Sequence, residues 1–276
     1  MLAINQRTYT ALDQVSESLY DLKEALTRAK IDKTLRPLET KLETQLAVLF
    51  KRQGSTLVRS LTRLRSYFRE GIEEDFDTIF DRVTLDTSAD MAEAIQKTYE
   101  AALLAGGKAL IAEFNSSIVF SLTNPRAIAY TQDYAADLIT GIDETTKKDI
   151  RSIIVAGVQN GNSYTQIASQ IKARYKQFAV GVPQKHIRSR AELIAVTEAG
   201  NGYQRGNLAA AYAMKESGLL LEKSWRNVGD RRVSQGCKDN TAAGWIALDD
   251  AFPSGHDCPL RFPGCRCTSL YRRKPT

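Results

Sequence analysis

Two histidines in 276 residues, and no cysteine before position 237, leave most of this sequence without the side chains that usually ligate transition metals. Residues 1–121 hold neither residue type and no glycine-rich phosphate loop, so that half offers contacts and no chemistry. Long apolar runs are missing too: stretches such as Ile153–Val158 fall far short of the roughly 18 residues that cross a bilayer. The first residues, Met1-Leu-Ala-Ile-Asn-Gln-Arg, lack the charged and apolar regions of a signal peptide. A membrane-spanning or conventionally secreted protein is therefore not expected. What remains is 43% hydrophobic and 25% charged, the balance of a globular protein long enough for two domains. The net charge of +6, from 38 basic and 32 acidic residues, is compatible with a polyanionic partner but does not establish one.

Helical spacing dominates the first two thirds. Leu12, Val15, Leu19, Leu22 and Leu26 fall on one stripe, too short for a sustained coiled coil and suited to a bundle. After Pro37, placed in a first turn, Leu38, Leu42, Leu46 and Leu49 predict a second helix towards Gly54. A third carries Leu57, Leu61, Leu64 and Phe68. Lys51, Arg52, Arg59, Arg63, Arg65 and Arg69 make this the densest basic stretch, with no acid among them. Such a run contacts DNA phosphates or an acidic protein surface, or it is a solvated face answering the acids Glu70, Glu73, Glu74, Asp75, Asp77 and Asp81 downstream.

A further helix is expected from Ser88 to Gly106-Gly107, with Ala109–Val119 helical again. Asn124-Pro125 reads as a cap and first helical residue, and another helix starts at Asp143, buries Ile150, Ile153, Ile154 and Val158, and stops at Asn160-Gly161-Asn162. Ser163 with Gln166, and Ser189 with Glu192, are capping boxes. The first opens a helix burying Tyr164, Ile167, Ile171 and Tyr175. The second opens the longest helix expected, ending near Ser217-Gly218, whose Ala and Gly residues allow close packing. Beyond it, Leu219–Val228, Trp245–Leu248 and Cys267–Tyr271 are short segments between turns, the mark of a small β-rich module. The expected fold is mainly α: multi-helix N-terminal and central regions with a C-terminal β-rich, cysteine-containing module. The expected divisions are a helical interaction domain at 1–121, a helical core at 122–218, and the module at 219–276.

The order of Leu122-Thr-Asn-Pro-Arg, Thr140-Gly-Ile-Asp-Glu-Thr-Thr, Asn162-Ser-Tyr, Arg190-Ala-Glu-Leu-Ile-Ala-Val-Thr-Glu and Gly229-Asp-Arg-Arg-Val resembles the phage Mu F-like minor head proteins. The likeness continues through Ala243-Gly-Trp-Ile, Phe252-Pro-Ser-Gly and Pro263-Gly-Cys-Arg-Cys, covering Leu122 to Tyr271. The resemblance implies a head morphogenesis protein of a tailed bacteriophage, a minor capsid component of the virion assembled in the bacterial cytoplasm. Its implied partners are the portal, capsid or scaffold proteins, and DNA in some members.

Five residues compete to ligate a metal: Cys237, His256, Cys258, Cys265 and Cys267. Cys265 and Cys267 put two thiolates on one face of a strand, and His256 with Cys258 repeats that spacing. Tetrahedral Zn²⁺ takes four such ligands. The resembled family implies a zinc-stapled module, with Ser234 and Phe262 here standing where its first cysteine and its histidine would be. Disulfides, or four reduced thiols filling space, are the other readings, and a reducing cytoplasm argues against disulfides during folding.

An enzyme is not expected. His186 and His256 lie in different segments, Asp249-Asp250 and Glu198 have no third group at catalytic spacing, and Glu198 suits a structural ion pair. Trp225, Trp245 and Tyr271 fit a module core better than nucleobase stacking.

Overall fold

The computed structural model describes residues 6–63, 72–179 and 189–275. The chain divides into two compact units, Met1–Pro37 and Leu38–Thr276. The first two expected helices and the start of the third are one, α1 (Gln6–Arg63), with Pro37 inside it, while Leu64 and Phe68 of the third lie outside the described residues. Its flanks are rich in Leu, Glu, Lys and Gln, strong helix formers that carry the helix past the one hydrogen bond a proline removes. Leu26, the last member of the first expected stripe, is 57% exposed; the side chains of Leu12, Val15, Leu19 and Leu22 lie outside the described residues. Gly54 does not end α1, because it is a contact point: a Cβ there would stand 2.5 Å from the Tyr175 ring.

α2 (Ile72–Glu113) likewise runs through Ser88 and through Gly106-Gly107, where a break was expected. It ends earlier than Val119, and residues 114–124 form a turn and an extended connection. α3 (Pro125–Gln159) is continuous across Asp143. Its start is as expected, with Asn124 Oδ1 accepting from the Arg126 and Ala127 backbone N–H groups. It stops at Asn160–Asn162, where Gly161 takes φ +67°.

The capping box of Ser163 and Gln166 forms with both its bonds, and Ser189 caps its helix through its hydroxyl. In α4 (Tyr164–Ala179) the Ser163 N–H donates to Gln166 Oε1 at 2.7 Å and the Gln166 N–H to Ser163 Oγ at 3.3 Å. In α5 (Arg190–Glu216) the Glu192 N–H donates to Ser189 Oγ at 2.9 Å, and Gly218, at φ +96°, follows the end. Ser189 is buried, so water cannot replace its hydroxyl. Ser189→Ala is expected to cost about 1 kcal/mol, read as a lower urea midpoint with an unchanged slope; an unchanged midpoint would refute the cap's contribution.

Within the second unit, α1 contributes Leu42, Leu46, Phe50 and Leu57, each fully buried, to a core shared with α2, α3 and α4 through Phe80, Ile150, Ile171 and Tyr175. Each such side chain contributes roughly 1.5–3 kcal/mol by leaving water. Arg190 ties this core together from the first turn of α5. Its guanidinium donates to Thr146 Oγ1 at 3.0 Å and to the Ile142 carbonyl at 2.9 Å, and lies 5.0 Å from the centre of the Phe178 ring. Burial disfavours its charged form and lowers its pKa.

The closest helix pair is α2 against α5, and glycine makes it so. A Cβ on Gly206 would meet the Leu103 carbonyl oxygen at 1.9 Å, one on Gly202 the Tyr99 oxygen at 2.5 Å, and one on Gly106 the Tyr203 oxygen at 2.1 Å. The backbones touch, with Ala195, Ala199 and Ala209–Ala211 buried on the same helix. The longest helix is α1, with 58 residues against 27 in α5.

After α5 come β1 (Leu221–Arg226), α6 (Gln235–Ala242), β2 (Trp245–Ala247) and β3 (Thr268–Arg273), with β1 central in an antiparallel sheet of order β2-β1-β3. The register pairs Leu221 with Arg273 and Arg226 with Thr268. The strands were expected; α6 was not, since eight polar and small residues carry no apolar period. Gln204 of α5 docks the sheet: its Nε2 donates to Thr268 Oγ1 and its Oε1 accepts from the Ser269 N–H, both at 3.0 Å. No helix among the described residues is long and apolar enough to cross a membrane.

Candidate metal centre

The module has a core of its own, and three of its five fully assigned members are cysteines: Cys237, Cys265 and Cys267, with Trp225 and Phe252. Each cysteine arrives by a different local device. Cys237 sits in the first turn of α6, and its N–H is capped by Ser234 Oγ at 3.4 Å. Cys265 closes a turn through Phe262, its N–H donating to that carbonyl at 3.0 Å after Gly264 at φ +77°. The Gly264 N–H donates to Thr197 Oγ1 at 3.0 Å, which pins the turn to α5. Cys267 leads directly into β3, and between the two cysteines Arg266 reaches Asp230 at 2.7 Å. Asp230 also holds Arg232, and the donated hydrogen bonds from Arg266 and Arg232 keep its carboxyl well below the usual range.

The three sulfurs lie within 4.8 Å of one another and all are buried. Cys237 Sγ stands 3.9 Å from Cys265 Sγ. A tetrahedral Zn²⁺ with Zn–S bonds of about 2.3 Å spaces its sulfurs about 3.8 Å apart, whereas a disulfide needs about 2.05 Å. All four cysteines of the chain are free thiols.

The surroundings favour negative charge on Cys265. The Cys265 pKa is lowered to about 5, first because the Cys267 thiol donates to it, against the opposing effect of burial. Backbone N–H groups of Arg261 and Cys267 and the Cys237 thiol add further donors. Cys267 is pushed up, having given its proton towards Cys265 inside a buried site. Trp225, fully buried on β1, has an indole N–H that meets no hydrogen-bond partner among the described residues. An orphaned buried N–H beside a cluster of thiols fits a site built for thiolates and a soft cation. A metal there would be held by Cys237, Cys265 and Cys267.

The other two sequence candidates go elsewhere. The segment from 251 to 261 is irregular, not a strand, so the spacing of His256 and Cys258 does not put them on one face. His256 Nδ1 faces Ser254 Oγ and the Ser254 carbonyl, each at 3.0 Å, in a latch completed by Asn240, whose Nδ2 donates to Ser254 Oγ at 2.8 Å. Cys258 is buried in a different cluster, beside Leu248 and Tyr271. Burial pushes its thiol up to about 11, against the nearby cations Arg205 and Lys223. Among the described residues, neither joins the group of three.

Sequence reasoning did not identify Thr197, Gln204, Asn240 or Asp230 as supports of the module. Each acts across 14 to 67 residues of chain. No local pattern marks such a partner.

The basic residues divide. Lys51, Arg52 and Arg59 are exposed on α1. Arg52 pairs with Asp90 of α2, and Arg59 donates back to the Ser55 carbonyl at 3.3 Å. The side chain of Arg63, and Arg65 and Arg69 entirely, lie outside the described residues, as does His186. Asp249 is paired with Lys215 at the surface, and Glu198 is buried within α5.

The family model described as Phage Mu protein F like protein matches residues 148–270. That segment takes in the end of α3, all of α4 and α5, and the module as far as β3, so the earlier motifs at Leu122 and Thr140 precede it. No curated protein and no solved structure matches the chain. Residues 148–270, which contain all three clustered cysteines and the helix α5 to which their turn is pinned, are a Phage Mu F-like segment.

Proposed function

We propose that this protein is a structural, non-enzymatic minor capsid component of a tailed-phage head, contacting the portal, capsid or scaffold proteins during assembly and staying in the virion. The observation that carries this reading is the family match over 148–270, the stretch in which α5 and the cysteine module form one packed body. The basic stretch of Lys51, Arg52, Arg59, Arg63, Arg65 and Arg69, of which the first three are exposed on α1, is the first candidate for partner contact. Zn²⁺ on Cys237, Cys265 and Cys267 supplies a cross-link between α6 and the two ends of the final turn, which otherwise share a very small core.

The test is affinity capture of the structural proteins encoded by the same phage genome, beside a variant with Arg59, Arg63, Arg65 and Arg69 changed to Glu. Recovery of the portal or capsid protein by the parent and its loss in the variant is the expected result. Recovery of neither, with DNA held in a salt-sensitive manner instead, would replace this reading by a DNA-binding one.

A further inference from the structure

The connection between α2 and α3 carries a backbone edge that no described residue pairs. Exposure alternates along it: Phe114, Ser116 and Ile118 are half-buried and Phe120 is buried, while Asn115, Ser117 and Val119 are exposed. That period of two is the pattern of a strand. Val119, 89% exposed, is the most exposed large apolar side chain among the described residues. The ends are tied, the Ser116 N–H donating to the Ile111 carbonyl at 3.1 Å and the Asn124 N–H to that of Ser121 at 3.2 Å. The Ile118 N–H turns to Ser116 Oγ at 3.3 Å. Between them, the backbone groups of Ser117, Val119 and Phe120 and the Ser121 N–H enter no hydrogen bond among the described residues. Phe120 is only 4% exposed, so water is a poor substitute there. Its ring packs on Gly107 of α2, where a Cβ would stand 2.2 Å from it, so the edge is held in place.

An extended backbone with open N–H and C=O groups is complementary to another extended backbone. Charge decides which. Between Glu113 and Arg126 no residue is charged, in a chain that is 25% charged, and Ser116–Ser121 contains neither proline nor glycine. Sheet edges left open to water normally carry such guards. Without them the edge suits an uncharged, apolar strand, and the segment itself is such a strand. We propose that Ser116–Ser121 pairs antiparallel with the same segment of a second copy of this chain, about a two-fold axis at Val119. That register sets Val119 against its own counterpart, Ser117 against Ser121 and Ile118 against Phe120, so like meets like on both faces. Ser117, Val119 and Ser121 share one edge of the strand, and all three exchange backbone hydrogen bonds across the axis. Moving the axis to Ile118 would set Ser117 against Val119 and draw in Asn115, which at φ +49° leaves the strand. A two-fold pairing closes on itself and caps the edge, where an open stack would grow into a fibre.

The experiment measures self-association of the full-length protein by sedimentation across a range of concentrations. The parent is expected to form dimers. Val119→Lys, which sets two like charges face to face at the axis, is expected to weaken them by about tenfold or more. Val48→Lys, at an exposed apolar position on α1, is expected to match the parent. Lysine at so exposed a position keeps the fold, which circular dichroism checks. A parent that stays monomeric throughout overturns the proposal and leaves the edge to a strand of another protein. A dimer that Val119→Lys does not weaken overturns it too.

Register is read by cross-linking with a short bis-maleimide, since the four native cysteines are buried. Val119→Cys is expected to cross-link to itself, and Ser117→Cys to Ser121→Cys in a mixture but not to itself. Self-cross-linking of Ser117→Cys marks a parallel stack and overturns the two-fold arrangement. In the unsubstituted protein, the Val119 amide is expected to exchange slowly with solvent at concentrations where dimers prevail and rapidly on dilution. Rapid exchange at every concentration overturns the proposal.

Discussion

Gly206→Ala is expected to lower the stability of the second unit by about 3 kcal/mol or more, at the upper end of what overpacking costs. The added methyl would sit 1.9 Å from the Leu103 carbonyl oxygen. That oxygen belongs to the hydrogen-bonded backbone of α2 and cannot swing aside, so the two helices must separate. Separation opens the neighbouring contacts at Gly202 and Gly106, where backbone oxygens lie as near. It also withdraws α5 from the core containing Tyr99, Leu103 and Leu208. Alanine has a higher intrinsic helix propensity than glycine, by about 1 kcal/mol, and that gain is too small to offset the clash.

Gly200→Ala supplies the comparison, since its Cβ would meet only the Leu260 side chain, at 3.0 Å. A flexible side chain can shift, so the helix-propensity gain and the crowding roughly cancel. Thermal melts of the two variants check this. Equal melting temperatures would sink the claim that backbone contact between α2 and α5 organises the unit.

Metal removal is expected to have the second large effect. Stripping the protein with a chelator should leave the α1–α5 core folded while residues 219–275 become sensitive to protease. The reason is the small core of the module, in which three of five buried members are the cysteines themselves. Without the ion, three buried sulfurs are left crowded within 4.8 Å with nothing bridging them. At free zinc a thousandfold above its dissociation constant, binding contributes about 4 kcal/mol, enough to decide whether so small a module stays folded. Cys265→Ser should reproduce the chelated state, and zinc should then no longer protect it. If chelation changes neither the melting curve nor the cleavage pattern, and metal analysis finds substoichiometric zinc, the thiols are only space-filling.

Both effects depend on features that local patterns indicate unevenly. Ser189 with Glu192 and Ser163 with Gln166 each lie within four residues, and both serines cap their helices as the sequence implied. Asn160-Gly161-Asn162 ended a helix for the same reason: a residue at φ +67° suits glycine wherever it occurs. Glycine inside α1 and α2 misled, because Gly54 and Gly106 have partners more than 90 residues away along the chain, and a close approach looks like a break until the partner is known. Pro37 misled in another way, since one lost hydrogen bond is a finite cost that strong flanking helix formers outweigh.

The cysteine site shows the same division. That the chemistry would be confined to the last segment followed from where the cysteines stand, but Cys265 and Cys267 are brought together by a turn ahead of β3 and not by one face of a strand. Nor did it follow which donors complete the group. His256 is held by Ser254, which Asn240 holds in turn, and Cys258 turns into another core, because segment 251–261 is irregular and its side chains follow the packing, not a period of two.

By itself the sequence determined the class of fold, the starts of α3, α4 and α5, the change from helical to strand patterning after Gly218, and the segment that carries reactive sulfur. Each rests on interactions completed within a few residues. Tertiary structure alone decided that helices expected separately run on as one, that α2 and α5 meet backbone to backbone, and that Cys237 joins Cys265 and Cys267. Those outcomes depend on groups far apart in the chain being packed together, and such packing is set by the shape of the whole unit.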